Sequence, residues 1–488
     1  MKKAALGLLL LLLICGLLVS LRSTVYAEVK TWIVDLNGSG DFTNIQDGIN
    51  AANSGDTVFV KAATYQENIL LNTSISLIGE ARETTIIDVR GIGNPLEITA
   101  NGTIVSGFTF SYGDAGIVMT DSHNNLIKSN ICRKNTRGIG GSLYTNTIIE
   151  NNTVTENDYG IDFGHLMGPS SKNNTAKNNE IYSNTNAGIY VSASEGNNSI
   201  VKNKIHDNGF GIILDHTQQN EVYGNIATDN TYGIYMRSGI QDKIEVNLLQ
   251  NNVVGIYLES SNGNNIFHNT FLDNVVQVLG TSYNTWDNGY PSGGNYWSDY
   301  SGSDANDDGI GDSPHIIDDD NTDKYPLMDE YGFPVEKFFN VTVDETDYGI
   351  VTVSNSTVSN LSFNPTLKEL SLNVRGLSGT LGFCDITVPV EFMSGDFTLY
   401  LDDVLLVEGV DYAASSNATH YFFNVYFEHS IHVIKLVSTE VIPEFAGWLF
   451  LPFLLLATMS ALILKKKIEK YLRSLTSLPP TTRATIKH

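Results

Sequence analysis

Several side chains in the middle of the chain could do chemistry, and they fall into three kinds. Asp162 with His165, and Asp215 with His216, place a carboxylate near an imidazole, the residue types that move protons in sugar hydrolysis. An inverting carboxylate pair needs about 6.5–9.5 Å between its members. Tyr190, Tyr235 and Tyr257 could offer flat rings to the apolar faces of sugars while their hydroxyls stay wet. Beside them Asp215, Arg237 and Glu259 alternate in sign, a set that either holds a polar ligand or neutralises itself. Further on, Asp304, Asn306, Asp308 and Asp312 space hard oxygens at positions 1, 3, 5 and 9 of a loop with Gly309 at position 6. That matches the first part of an EF-type calcium loop and predicts a structural Ca²⁺. Position 12 is His315, not glutamate, so another ligand would have to come from Asp318–Asp320 or Asp323. A solvated acidic loop is the alternative.

These residues can act together only if the chain stacks them, and a repeat provides the stacking. Gly-Ile pairs recur at Gly116, Gly138, Gly160, Gly188, Gly211, Gly233 and Gly255, at intervals of 22, 22, 28, 23, 22 and 22 residues. Asn130, Asn152, Asn179, Asn203, Asn225, Asn247 and Asn269 keep the same beat, each followed five places later by another asparagine. So short a period suits three strands and three turns rather than a helical repeat. The strands alternate, as in Gly233-Ile234-Tyr235-Met236-Arg237, and a second inward row runs Cys132, Val154, Ile181, Ile205, Ala227, Leu249, Phe271. The expected fold is an all-β right-handed parallel β-helix with about 22 residues per coil. Outward residues two past each glycine then form one row, which includes Asp162, Tyr190, Ile213, Tyr235 and Tyr257. Residues four past form a second, which includes Ser192, Asp215, Arg237 and Glu259. The repeat asparagines should line a turn where a left-handed backbone is tolerable and amides bond from coil to coil. The 28-residue interval, with His165-Leu166-Met167-Gly168-Pro169, reads as a loop insertion.

Composition sets the surroundings. The net charge is −25; residues 1–27 carry +3 and residues 465–488 carry +6, so the part between carries −34. Such a surface repels nucleic acid. Three cysteines, at 15, 132 and 384, make no disulfide framework or thiolate metal site. The chain divides into a signal peptide (1–27), the β-helix with an N-terminal capping helix (28–285), an acidic Gly/Trp-rich closing segment (286–333), a β-sandwich (334–439), a linker and transmembrane helix (440–464), and a basic cytoplasmic tail (465–488). Phe42, Ile45, Ile49 and Ala52 share the face of the capping helix. On this reading residues 28–440 lie outside the cell, and the membrane is reached through the C-terminal helix. Ten Asn-x-Ser/Thr triplets, from Asn37 to Asn417, all fall in the outer part.

The run Thr64-Tyr65-Gln66-Glu67-Asn68-Ile69, the repeats after it and the close at Asp323-Lys324-Tyr325-Pro326-Leu327-Met328 resemble the NosD-like and carbohydrate-binding/sugar-hydrolysis group of pectin-lyase-like β-helix proteins. The likeness covers about residues 40–330. Val441-Ile442-Pro443-Glu444-Phe445 resembles the linker before the anchor of archaeal surface proteins. The resemblance implies the fold and leaves activity open, since the group holds enzymes, binding proteins and copper accessory proteins. The expected function is a membrane-anchored extracellular protein that binds polysaccharide or glycoprotein glycans, or serves as a structural or adhesive surface component, without catalysis. A surface-tethered polysaccharide lyase or hydrolase is the alternative. A copper accessory role fits poorly, because soft metals want Met and Cys clusters.

Overall fold

The computed structural model describes residues 29–164, 171–192, 196–280, 282–306, 308–343, 345–376, 380–441, 458–460 and 462–468. The chain divides into two compact units, one ending at Phe333 and the other beginning at Pro334.

In the first unit the 22-residue beat becomes a parallel β-solenoid of about twelve turns. Each turn lends one strand to each of three parallel sheets, of 11, 10 and 11 strands. The Gly-Ile strands build the second sheet, in which Ile117, Ile139, Ile161, Ile189, Ile212, Ile234 and Ile256 are buried completely. The row from Cys132 to Phe271 is buried as completely on the third sheet. A buried Ile stabilises by about 1.5–3 kcal/mol, and each coil obtains that burial only from its neighbours.

The turns differ from the expected arrangement in one respect. The ladder asparagines do not themselves adopt positive φ; the residue just before each one does. Ser129, Asn151, Asn178, Lys202, Gly224, Val246 and His268 all have φ between 53° and 66°. The next residue is then free to turn its amide along the solenoid axis. Asn225 Oδ1 accepts the Asn203 amide at 2.9 Å, and Asn225 Nδ2 donates to the Ile200 carbonyl at 2.8 Å. Among the described residues three such ladders form, one more than the two rows read from the sequence. The third runs Asn174, Asn198, Asn220, Asp242, Asn264, Asn284 and ends at Asn321. Asp242 lacks the amide donor and instead accepts the Thr217 hydroxyl at 2.8 Å.

Both ends are covered. A helix, Ile45–Ala51, buries Ile45 and Ile49 over the first coil, and its leading amides donate to Glu67 at 3.0 and 3.1 Å. At the other end Trp286 and Trp297 are buried, and Trp297 stacks on Phe271 with centroids 4.3 Å apart. The second unit is a pair of five-stranded antiparallel sheets around a core that includes Ile350, Leu372, Ile386 and Val425. The strand Leu381–Pro389 is central to one of these sheets.

Residues 1–28 and 442–457 lie outside the described residues, so the signal peptide and most of the expected span at 446–464 are not described. Among the described residues no helix is long and apolar enough to cross a membrane.

Candidate functional site

Register decides which side chains meet on the outer face of the second sheet. Asp162 stands beside Tyr190, Tyr190 beside Ile213, Ile213 beside Tyr235, and Tyr235 beside Tyr257. On the neighbouring row Ser192, Asp215, Arg237 and Glu259 follow one another, one coil apart. Both rows form as their spacing predicts, because parallel in-register strands repeat every side chain at about 4.8 Å.

The rings do not behave alike. Tyr235 and Tyr257 are half-buried with centroids 5.2 Å apart, and Tyr232 packs against both, at 6.4 and 5.8 Å. Tyr232 belongs to a third outward row that the sequence reading missed: Tyr159, Ala187, Phe210, Tyr232, Val254. Its signal was present, the residue just before each repeat glycine. Tyr190 departs from expectation. It is buried with Ala187 and Ile213, against Tyr159 and Phe210, and its hydroxyl donates to Asp215 Oδ2 at 3.4 Å rather than to water. The open aromatic surface is therefore Tyr232–Tyr235–Tyr257.

The charges sort themselves into pairs. Arg237 grips Asp215 with two donors, Nε at 2.7 Å and Nη2, while His216 Nδ1 lies 2.6 Å from the same carboxylate. Burial alone would push Asp215 up, but the hydrogen bonds from Arg237 and His216 hold its carboxyl below the usual range. Glu259 accepts the Tyr235 hydroxyl instead of pairing with Arg237. The alternating ladder is thus one tight ion pair plus a separate carboxylate, with the side chains of Arg237 and His216 46% and 63% exposed.

Asp162 is a different group. It is 3% exposed, accepts the Gly164 amide at 2.8 Å and lies 3.0 Å from Arg137 Nε as an ion pair without hydrogen-bond geometry. Burial raises its pKa to about 7 against those two influences. Asp162 and Asp215 sit on different rows two coils apart, with Tyr190 and Ser192 on the coil between. His165 lies outside the described residues.

The acidic loop spends its oxygens on its own backbone. Asp304 accepts the amides of Asp308 and Gly309 at 3.1 and 2.8 Å, and Asp308 Oδ1 accepts that of Ile310 at 2.9 Å. Asp308 Oδ2 takes the Asn306 amide at 2.9 Å, and Asp312 takes the Ala305 amide at 2.8 Å. Gly309 has φ +88°, the turn its position required. The further ligands expected from elsewhere are committed differently. Asp323 is buried on Trp297 Nε1 and the Asn295 amide, at 2.9 and 2.7 Å, and Asp318 holds Asn321 at 2.8 and 2.9 Å. Among the described residues no three His, Cys, Asp or Glu side chains gather as a metal site.

Fold and face together define a parallel β-solenoid with an aromatic and charged strip on its second sheet. The chain belongs to the family described as periplasmic copper-binding protein (NosD), whose model matches residues 49–231 and 165–302. Copper does not fit the donors described here. Cys132 and Cys384 are buried in separate units, and Met119 and Met236 point into the solenoid core. A cell surface glycoprotein of Methanothermus fervidus is 30% identical over 200 residues, covering 35% of this chain and 30% of that protein. Among solved structures, pectate lyase Pel9A is 14% identical with a TM-score of 0.43, covering 58% of this chain and 83% of that one. The A-module of mannuronan C-5 epimerase AlgE6 from Azotobacter vinelandii is 16% identical with a TM-score of 0.34, covering 49% and 92%.

Proposed function

We propose that the outer face of the second sheet binds carbohydrate, and that the protein displays this face at the cell surface as a non-catalytic binding or adhesive component. The observation that carries this reading is the half-open cluster Tyr232, Tyr235 and Tyr257, bordered by Glu259 and the Asp215–Arg237 pair. Stacked rings remove the apolar faces of a sugar from water, and the charged row beside them can address its hydroxyls. Family membership and the partial match to a cell surface glycoprotein agree with an outward location. Anchoring through the expected span at 446–464, with the bulk of the chain outside, belongs to the same proposal.

The test is a glycan array probed with the wild-type protein and with Tyr235→Ala/Tyr257→Ala. Binding by the wild type that the double variant loses supports the reading. No binding by the wild type, or equal binding by both, overturns it. A lyase or hydrolase is the second reading, favoured by one observation: this face carries two carboxylates in unlike settings, Asp162 buried beside Arg137 and Asp215 gripped by Arg237 and His216, on different rows two coils apart. New reducing or unsaturated ends after incubation with acidic polysaccharides would establish it.

A further inference from the structure

The solenoid geometry sorts its many asparagines into two populations with different chemistry. In the ladders that contain Asn152 and Asn174, the asparagine is buried, both ends of its amide are bonded, and the residue two places on points into the core, as Val154 does after Asn152 and Ala176 after Asn174. A Ser or Thr there would place a hydroxyl in an apolar interior, which is costly. In these two ladders the rung itself therefore does not carry the Asn-x-Ser/Thr triplet. The residue before the ladder is the reverse. It occupies the left-handed turn position, its side chain leaves the coil, and two places on is an outward strand residue that Thr or Ser suits.

Three triplets have this arrangement: Asn151-Asn152-Thr153, Asn173-Asn174-Thr175 and Asn197-Asn198-Ser199. In each the first asparagine is exposed at φ 55°, 56° or 62°, and the middle one is a buried ladder rung. The outer asparagines bond to neighbouring coils through backbone: the Asn151 amide donates to Lys177 O at 3.3 Å and the Asn197 amide to Gln219 O at 3.0 Å. Asn355 is the contrast. It heads a triplet as well, but its Nδ2 donates to the Leu381 carbonyl at 3.0 Å and its Oδ1 accepts the Phe383 amide at 2.8 Å, across a strand pair.

We infer that Asn151, Asn173 and Asn197 are N-glycosylation acceptors and that Asn355 is not. The co-substrate is a lipid-linked oligosaccharide diphosphate. The asparagine amide nitrogen forms a bond to the anomeric carbon of the first sugar. The bond from that carbon to the diphosphate oxygen breaks, the lipid diphosphate leaves with the electron pair, and the amide gives up one proton to the transferase. At the three turn positions the asparagines are exposed, whereas at Asn355 the transfer would remove a strand-to-strand bond. The placement also leaves the aromatic strip clear. Asn173 and Asn197 stand in the turns after the strands that carry Asp162 and Ser192, while the equivalent turn positions after Arg237 and Glu259 are Gln241 and Gly263.

The experiment is glycopeptide mass spectrometry on the full chain isolated from its own cells. The expected result is a glycan on the peptides of Asn151, Asn173 and Asn197 and an unmodified Asn355 peptide. Thr175→Ala and Ser199→Ala, which leave the turn asparagines in place, should each remove the glycan from one site alone, Asn173 and Asn197 respectively. Three bare turn peptides, or a glycan on Asn355 at an occupancy equal to that on Asn173, would overturn the inference. The outcome does not depend on whether the tyrosine face binds sugar.

Discussion

Replacing Asn225 with alanine tests the stacking on which every surface assignment depends. Asn225 is fully buried, and its Oδ1 accepts both the backbone amide and the side-chain amide of Asn203, at 2.9 and 3.0 Å. Its own Nδ2 donates to the Ile200 carbonyl at 2.8 Å and to Asn247 Oδ1 at 3.0 Å. Alanine would strand two buried donors on Asn203 and take a donor from Ile200. At about 1–3 kcal/mol per orphaned buried group, with the carbonyl at the low end, the loss should be about 3–7 kcal/mol. That is a large part of the 5–15 kcal/mol or so that holds a domain together. Lys204→Ala is the control on a neighbouring coil. It removes an exposed ion pair with Glu180 at 3.3 Å, which contributes less than about 1 kcal/mol. Urea denaturation followed by circular dichroism gives both values. Hydrogen exchange should show the damage centred on the coils that contain Asn203, Asn225 and Asn247, because coupling runs between nearest neighbours. Equal destabilisation by the two substitutions, or a loss below about 1 kcal/mol for Asn225→Ala, would refute the reasoning.

Other consequences can be checked independently. Burial holds Asp162 and Asp323 up at about 7, so each binds a proton more readily in the fold than in the unfolded chain. Their contribution is complete below about pH 4 and is lost as pH rises through 7, at up to about 1.4 kcal/mol per pH unit for each group. Asp323→Asn should flatten that part of a stability-against-pH curve, and an unchanged slope would contradict it. Arg237→Ala leaves the Asp215 carboxylate buried without its guanidinium, and should cost about 1–3 kcal/mol by thermal unfolding, against little for Glu259→Gln. Calcium tests the acidic loop: an ion shared by Asp304, Asn306, Asp308 and Asp312 raises the unfolding temperature, and Asp308→Asn removes the rise. A melt that calcium leaves unchanged dismisses the ion.

Much of the solenoid could be read from the chain because its physics is local and periodic. One Gly-Ile pair and two asparagines five places apart in each repeat of about 22 residues suffice to say which side chains face the core and which stack on which. That is why the rows Tyr235–Tyr257 and Asp215–Arg237–Glu259 are legible in the sequence, as is the third ladder, five residues ahead of the first. Tertiary structure decided what a row does not contain: the pairing and exposure of each member. Spacing makes Tyr190 equivalent to Tyr235, yet Ala187, Ile213 and Phe210 bury it. Sign alternation treats Asp215 and Glu259 alike, yet Arg237 can close a two-donor grip on only one carboxylate, and it takes Asp215. Asp323, one acidic residue among many in sequence, becomes the buried acceptor for the Trp297 indole N–H and the Asn295 amide. Periodicity determines position along a solenoid, whereas burial and pairing depend on side chains from other coils and from the closing segment, which no local pattern encodes.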